Sequence, residues 1–159
     1  MKLHRSIPLF LLAAALLALS APFEASAWRG VQKWSYDAGN SVTGSPAAVN
    51  GTIVIGDSEG RLVALDKATG ELRWTFSAGG TINGTPALLG STLFTGGADG
   101  SLFAVDGATG REVWHFTPRE KYTPGAIWSS PAAGNGRVYF NSADGKVYAL
   151  DAPSGNLAW

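Results

Sequence analysis

The chain has 159 residues, which is long enough for one domain. Its 12 Lys and Arg balance its 12 Asp and Glu, so it carries no basic footprint for nucleic acid or for an anionic membrane surface. Cysteine is absent, which excludes disulfides, thiolate metal sites, a cysteine nucleophile and an acylated amino-terminal cysteine. Few charged residues (15%) together with 21 glycines favour a compact sheet protein.

The first 27 residues have the pattern of a secretory signal peptide. Lys2 and Arg5 give a basic start, residues 7–19 form an apolar run of 13 residues, and Ala25-Ser-Ala27 matches the A-x-A cleavage pattern. The alternative, a transmembrane anchor, requires about 20 apolar residues. We therefore expect cleavage after Ala27, export to the periplasm, and a soluble mature region 28–159 without a membrane span.

Short strands with turn residues between them are predicted along the whole mature region. Alternating apolar and polar residues at 28–36 predict one strand that contains Trp34. A pattern of four short strands then appears three times, in the blocks 41–76, 81–116 and 126–159.

The last part of each block carries a repeated motif. It reads Ala64-Leu-Asp66-Lys-Ala-Thr69-Gly70-Glu-Leu-Arg-Trp74 in the first block, and Ala, Asp, Gly and Trp hold the same offsets at 104–114 and 149–159. The tryptophans are spaced by 40, 40 and 45 residues, starting from Trp34. A period of this length, built from four strands, is typical of propeller blades.

Mechanical reasons account for the repeated residues. Asp99-Gly100 and Asp144-Gly145 lie between apolar strands and predict tight hairpins in which glycine takes a positive φ. Gly70 and its counterparts end the next turn, where a side chain would clash. The small residue Ala64 leaves room on its strand for the bulk of Trp74.

The run A-x-D-x-x-[TS]-G-x-x-x-W resembles the tryptophan-docking repeat of the pyrroloquinoline-quinone-type (PQQ-like) β-propellers. In that family the tryptophan of each blade packs against the neighbouring blade, and the alanine and glycine line its slot. The resemblance covers residues 28–159. It implies an all-β fold, a partial β-propeller of about three four-stranded PQQ-like blades plus one amino-terminal strand from a preceding blade.

The recurring aspartates are interpreted as architecture, because a residue present in every repeat belongs to the fold rather than to a site. One set recurs in the turn of the motif and favours carboxylates that cap backbone N–H groups: Asp66, Asp106 and Asp151. A second set supplies one carboxylate per blade, which cannot converge on a calcium ion that needs six to eight oxygens: Asp57, Asp99 and Asp144.

The stretch 117–128 breaks the repeat. Aligned from the proline of each block, Trp128 falls at the position of Thr43 and Asn83, and in the PQQ-like family this loop leads to the innermost strand near the central axis. Trp128 is therefore the one candidate cofactor-binding residue, able to stack on a flat ring such as a quinone. The alternative is an apolar plug or a partner-contact residue. Residues 119–121 predict a solvated loop tip, and His115 a surface residue.

Two functions compete at this point. The first is an exported, non-enzymatic scaffold of the cell envelope that binds other envelope proteins, similar to the propeller lipoprotein of the outer-membrane assembly machinery but without a lipid-anchor cysteine. The alternative is an amino-terminal fragment of a PQQ-dependent alcohol or sugar dehydrogenase. For that enzyme the resemblance implies quinone and calcium as cofactors. A more distant option is a sensor or carbohydrate-binding propeller that uses the Trp128 loop.

The quinoprotein alternative implies an acid–Asn–Asp set and often a pair of adjacent cysteines. The chain has no cysteine and no convergent carboxylates outside the repeat. We therefore expect no catalytic residue and no metal site, and PQQ with calcium only under the dehydrogenase alternative.

Closure of the ring is a separate question. Propellers close with typically four to eight blades, whereas three are predicted. We expect a truncated larger propeller, or a chain that associates with its own copies or with missing blades, and therefore an isolated chain that is oligomeric or poorly soluble.

Overall fold

The computed structural model describes residues 31–118 and 125–159; the predicted signal peptide and the loop tip at 119–121 lie outside the described residues. Contacts group Lys33–Trp159 into one unit. Its regular structure is antiparallel sheet, and no helix in the described ranges is long and apolar enough to cross a membrane.

Three successive sheets make up this unit, and in each the strands neighbour one another in chain order. The first sheet contains β1 (Ala47–Val49), β2 (Thr52–Gly56), β3 (Arg61–Asp66) and β4 (Leu72–Ser77). The second contains β5 (Ala87–Leu89), β6 (Thr92–Gly96), β7 (Leu102–Asp106) and β8 (Glu112–Phe116). The third contains β9 (Ala132–Gly134), β10 (Arg137–Asn141) and β11 (Val147–Asp151). The predicted all-β partial propeller is confirmed.

The third sheet has three strands rather than the predicted four. Its last segment still runs beside β11, because Leu157 forms an isolated antiparallel bridge with Leu150. The backbone N–H of Ala158 donates to the carbonyl of Ala149 at 2.8 Å, and the N–H of Ala149 donates to the carbonyl of Trp159 at 3.0 Å. The segment therefore takes the place of a fourth strand without completing a ladder.

The amino-terminal strand differs from the prediction. Residues 31–36 have no strand assignment, although their apolar alternation is that of a strand. The physical reason is that a strand needs a ladder partner, and this segment has none in the described part of the chain. Trp34 nevertheless docks on the first sheet as predicted for its motif.

Two Asn-Gly hairpin turns of the same type set the register of the strands that they join. Asn50 and Gly51 both have positive φ (44° and 77°), as do Asn135 and Gly136 (52° and 74°), which is the geometry of a type I′ turn. Since only glycine and asparagine take up this conformation easily, the Asn-Gly pairs explain why β1–β2 and β9–β10 close so tightly.

The core consists of two clusters, each formed between neighbouring sheets. The first joins Val54 and Leu62 of the first sheet to Leu93 and Phe103 of the second. The second cluster joins the opposite face of the second sheet to the third. The first sheet therefore packs against the second, and the second against the third.

Candidate functional site

Tryptophan docking between sheets is the dominant recurring geometry. The indole Nε1–H donates to the carbonyl oxygen of the next turn in three places: Trp34 to Lys67 (3.1 Å), Trp74 to Gly107 (3.2 Å) and Trp114 to Ala152 (3.0 Å). The three tryptophans are half-buried, and such an acceptor spares the docked indole N–H the desolvation cost of an unpaired donor. The motif tryptophans therefore join one blade to the next.

Glycine makes room for each docked ring. A Cβ at Gly110 would lie 2.6 Å from the Trp74 ring, and one at Gly70 or Gly155 would lie 2.7 Å from the ring that docks there. All three glycines also have positive φ, between 71° and 77°. The predicted clash is confirmed, and its cause is the indole of the preceding blade.

The motif aspartates cap their own turns, as predicted. Oδ1 of Asp66 accepts the N–H groups of Ala68 (2.7 Å) and Thr69 (2.9 Å), and Oδ1 of Asp106 accepts those of Ala108 and Thr109. A hydrogen bond from the Arg73 guanidinium, followed by the two backbone N–H groups, lowers the pKa of Asp66 to about 2. These carboxylates are committed to the architecture.

Asp57 is the one fully buried carboxylate among the described residues. It accepts from the Nε of Arg61 at 2.8 Å, while the Nη2 of Arg61 donates to the carbonyl of Ala38 at 2.9 Å. Burial raises the pKa of Asp57, but the hydrogen bonds and charge of Arg61 prevail and hold it below its usual value. The pair ties the segment before the first sheet to the hairpin that follows β2.

The segments that lead into β1, β5 and β9 approach one another closely. The Thr43 hydroxyl donates to Oδ1 of Asn83 at 2.9 Å, and the backbone N–H of Thr85 donates to Oγ of Ser130 at 2.8 Å. A Cβ at Gly84 would meet the carbonyl of Ser129 at 2.6 Å. Because equivalent residues of successive blades meet here, this is the inner edge from which the sheets radiate.

Trp128 lies on this inner edge, and 52% of its surface is accessible. It occupies the position that Thr43 and Asn83 hold in the other two segments, where those two side chains bond to each other. Within the described ranges Trp128 has neither a ring contact nor a hydrogen bond. Its indole is therefore available to an external partner.

The donor set of this edge gives a test of the quinone and calcium hypothesis. The residues at 43–45, 83–85 and 128–130 include no carboxylate. Their polar side chains are hydroxyls, the amide of Asn83 and the Trp128 indole, and Ser129 also donates to the amide oxygen of Asn141. Across residues 31–118 and 125–159, no three Asp, Glu or His side chains gather closely enough to hold a metal ion. Calcium requires six to eight oxygens, usually with carboxylates among them, so the described residues do not fit a calcium-assisted quinone site.

His115 has a surface environment, as predicted. Its side chain is 57% exposed, and Nδ1 lies 2.7 Å from the Glu112 carboxylate on the same strand. An exposed pair of this kind contributes little to stability and offers no metal site.

Known proteins share this sequence pattern and this geometry. The family model described as outer membrane protein assembly factor BamB matches residues 17–159. The chain belongs to this family. BamB from Moraxella catarrhalis is similar in structure, with 28% identity and a TM-score of 0.69 over 79% of this chain and 39% of that one. No curated protein sequence matches the chain significantly.

Two further solved structures, one of an enzyme and one of a designed protein, are similar to the chain. Quinohemoprotein alcohol dehydrogenase from Comamonas testosteroni is 28% identical with a TM-score of 0.66, covering 76% of this chain and 21% of that one. The computationally designed Ika4 protein, at 21% identity and a TM-score of 0.65, covers 76% of this chain and 71% of its own and shows the fold alone. The chain thus spans well under half the length of the natural proteins it resembles.

Proposed function

We propose that this BamB-family chain is a non-enzymatic, exported scaffold of the cell envelope whose loops bind other envelope proteins in the periplasm. One observation carries the proposal: the recurring polar groups are already used by the fold. Asp66 and Asp106 cap turns, Asp57 is paired with Arg61, and the indoles of the docked tryptophans bond to turn carbonyls. Little is left in the described residues for acid–base or nucleophilic chemistry.

Trp128 is the residue we assign to partner contact. It departs from the repeat, it is 52% exposed, and it lies on the inner edge beside small polar residues. Exposed aromatic side chains of this kind are enriched at protein interfaces, where the ring is buried and the N–H finds a new acceptor.

The quinoprotein alternative has equal support from sequence identity, since the dehydrogenase and BamB are each 28% identical to the chain. What favours the scaffold is the chemistry of the inner edge. A quinone site with calcium needs carboxylates, and the inner segments present only hydroxyls and an amide among the described residues.

Site-specific photo-cross-linking tests the scaffold in its own compartment. A benzophenone amino acid replaces Trp128 in one variant and Val113 in a control. Both native side chains are 52% exposed, but Val113 lies on the outermost strand β8. We expect defined cross-links to envelope proteins from position 128 and at most weak, diffuse ones from position 113.

Equal cross-linking at both positions, or none at position 128 with the protein folded and exported, would contradict the assignment of Trp128. The full chain is used in the cell, so the result does not depend on refolding an isolated piece.

A further inference from the structure

A cleft of about 500 Å³ opens where Trp34 docks on the first sheet. It is lined by Lys33, Gly51, Asp66, Lys67, Ala68 and Arg73. The cleft is separate from the inner edge that carries Trp128, because its lining comes from the Trp34 segment, the β1–β2 turn, the motif turn and β4.

The repeat shows that the cations of this cleft are not part of the architecture. The residue before the docking tryptophan is Lys33 at the first sheet, Arg73 at the second and Val113 at the third. The residue after the capping aspartate is Lys67 in the first sheet, Gly107 in the second and Ala152 in the third. The residue before the sheet's own tryptophan is Arg73, Val113 and Ala158 in the same order. The same three positions therefore carry three cations, then one, then none.

Tryptophan docking does not require these charges. Trp74 and Trp114 make the same hydrogen bond to turns in which glycine or alanine replaces Lys67. The carbonyl of Lys67, rather than its ammonium group, accepts the indole N–H of Trp34. The cationic side chains can therefore vary without loss of the fold. Tryptophan docking does not explain why three of them lie around one turn.

Charge at the cleft is not balanced internally. The guanidinium of Arg73 pairs with the Asp66 carboxylate, which leaves the two lysines. Both have exposed side chains, and neither forms an ion pair within the described part of the chain. An acidic ligand would find two unpaired cations on the rim of a concave surface.

We propose that this cleft binds an acidic segment of a protein partner. The inference rests on the proposed scaffold function and names the chemistry of one of its contacts. A compact phosphate fits less well, because the N–H groups of the turn that would cradle it are already bonded to Asp66, whose carboxylate would repel it. Carboxylates spaced along an extended peptide can reach Lys33 and Lys67 while they avoid Asp66.

Binding of a labelled oligo-glutamate peptide of about eight residues, which spans roughly 26 Å when extended, tests this directly. The variant K33V/K67A takes its residues from the third-sheet positions Val113 and Ala152, so the docking geometry is retained. The control R111N/R137T removes two exposed cations outside the cleft and takes its residues from Asn156 and Thr52 or Thr92 of the same repeats.

Fluorescence anisotropy of the full chain at low salt should show saturable binding that weakens about fivefold in K33V/K67A and stays unchanged in R111N/R137T. Binding should also weaken as added salt shortens the screening length. An equal loss of peptide affinity in both variants would mean that binding depends only on net charge, and would contradict the cleft as the binding site. Displacement by inorganic phosphate at equal charge concentration, or preference for phosphatidylglycerol vesicles with the same variant dependence, would overturn the peptide assignment.

Cross-linking separates this inference from the proposed function. If position 128 still captures envelope proteins while the peptide fails to bind, the scaffold stands and the acidic-segment site does not. If neither is observed, both fail.

Discussion

At the scale of the residue, the tryptophan motif forms a contact between two successive blades. The indole supplies area and one N–H, and the next blade supplies a carbonyl and a glycine without a Cβ in the way. The sequence predicted the slot and its glycine, because three copies hold the same offsets. It did not identify Lys67, Gly107 and Ala152 as acceptors, because every residue type carries the same backbone carbonyl.

The clash at Gly110 gives a stability test with a matched control. Gly110→Ala places a Cβ 2.6 Å from the Trp74 ring at a φ of 71°, whereas Gly90→Ala has a φ of 63° and meets nothing within 4 Å. We expect urea denaturation to show a loss of about 3 kcal/mol for the first and about 1 kcal/mol for the second. Equal losses would mean that backbone strain alone, and not the docked ring, requires glycine.

The capping carboxylate of Asp66 predicts a pH dependence. Its pKa is lowered from 3.8 to about 2, so the stabilisation that it gives is present above pH 4 and is lost as the pH falls toward 2. Asp66→Asn still accepts the turn N–H groups but does not titrate. Urea midpoints measured between those pH values should fall less steeply in this variant than in the wild type, with the other lowered aspartates retaining part of the slope. Parallel profiles would contradict a stabilising role of this charge in its bond to Arg73 and in the cap of the turn.

At the scale of the element, hairpin chemistry was the most predictable feature. Tight hairpins were predicted at Asp99-Gly100 and Asp144-Gly145, and both glycines have positive φ (88° and 87°), a conformation that glycine takes without steric cost. Alternating apolar and polar residues predicted a strand over 28–36, yet its described part, 31–36, forms none. Alternation reports the spacing of side chains, whereas a strand also depends on a hydrogen-bonding neighbour that lies elsewhere in sequence.

Asn50 tests the turn itself. Asn50→Ala places an alanine at a φ of 44° and should lower the free energy of unfolding by about 1 kcal/mol, whereas Asn50→Gly should be nearly neutral. Thermal melts followed by circular dichroism are sufficient to rank the two variants. An alanine variant as stable as the glycine one would show that the β1–β2 hairpin is not held in this conformation.

At the scale of the whole described unit, the sheets depend on one another in series. Each core cluster lies between two neighbouring sheets, and the three sheets account for the predicted partial propeller. The candidate site was only partly predictable. Trp128 was found because it breaks the repeat, whereas the Lys33 and Lys67 cleft required the three-dimensional junction of a tryptophan segment with a turn 33 residues away.

Apolar side chains on and beside β11 leave exposed surface, since Val147, Leu157 and Trp159 are 54–59% exposed. Surfaces of this kind favour association, so dynamic light scattering of the isolated chain should show oligomers. The variant V147K/L157K should raise the monomer fraction with little effect on folding, because both side chains are already exposed. A wild-type chain that is a monodisperse monomer with a cooperative melt would contradict this expectation.

The central claim is that the repeated acids and tryptophans serve the fold and not a quinone. Titration of the folded chain with pyrroloquinoline quinone and calcium, followed by the melting temperature, tests it most directly. We predict no saturable shift, because the inner edge offers hydroxyls and an amide but no carboxylate among the described residues. A saturable rise that requires calcium, and that is lost in Trp128→Ala, would contradict the account and favour the quinoprotein alternative.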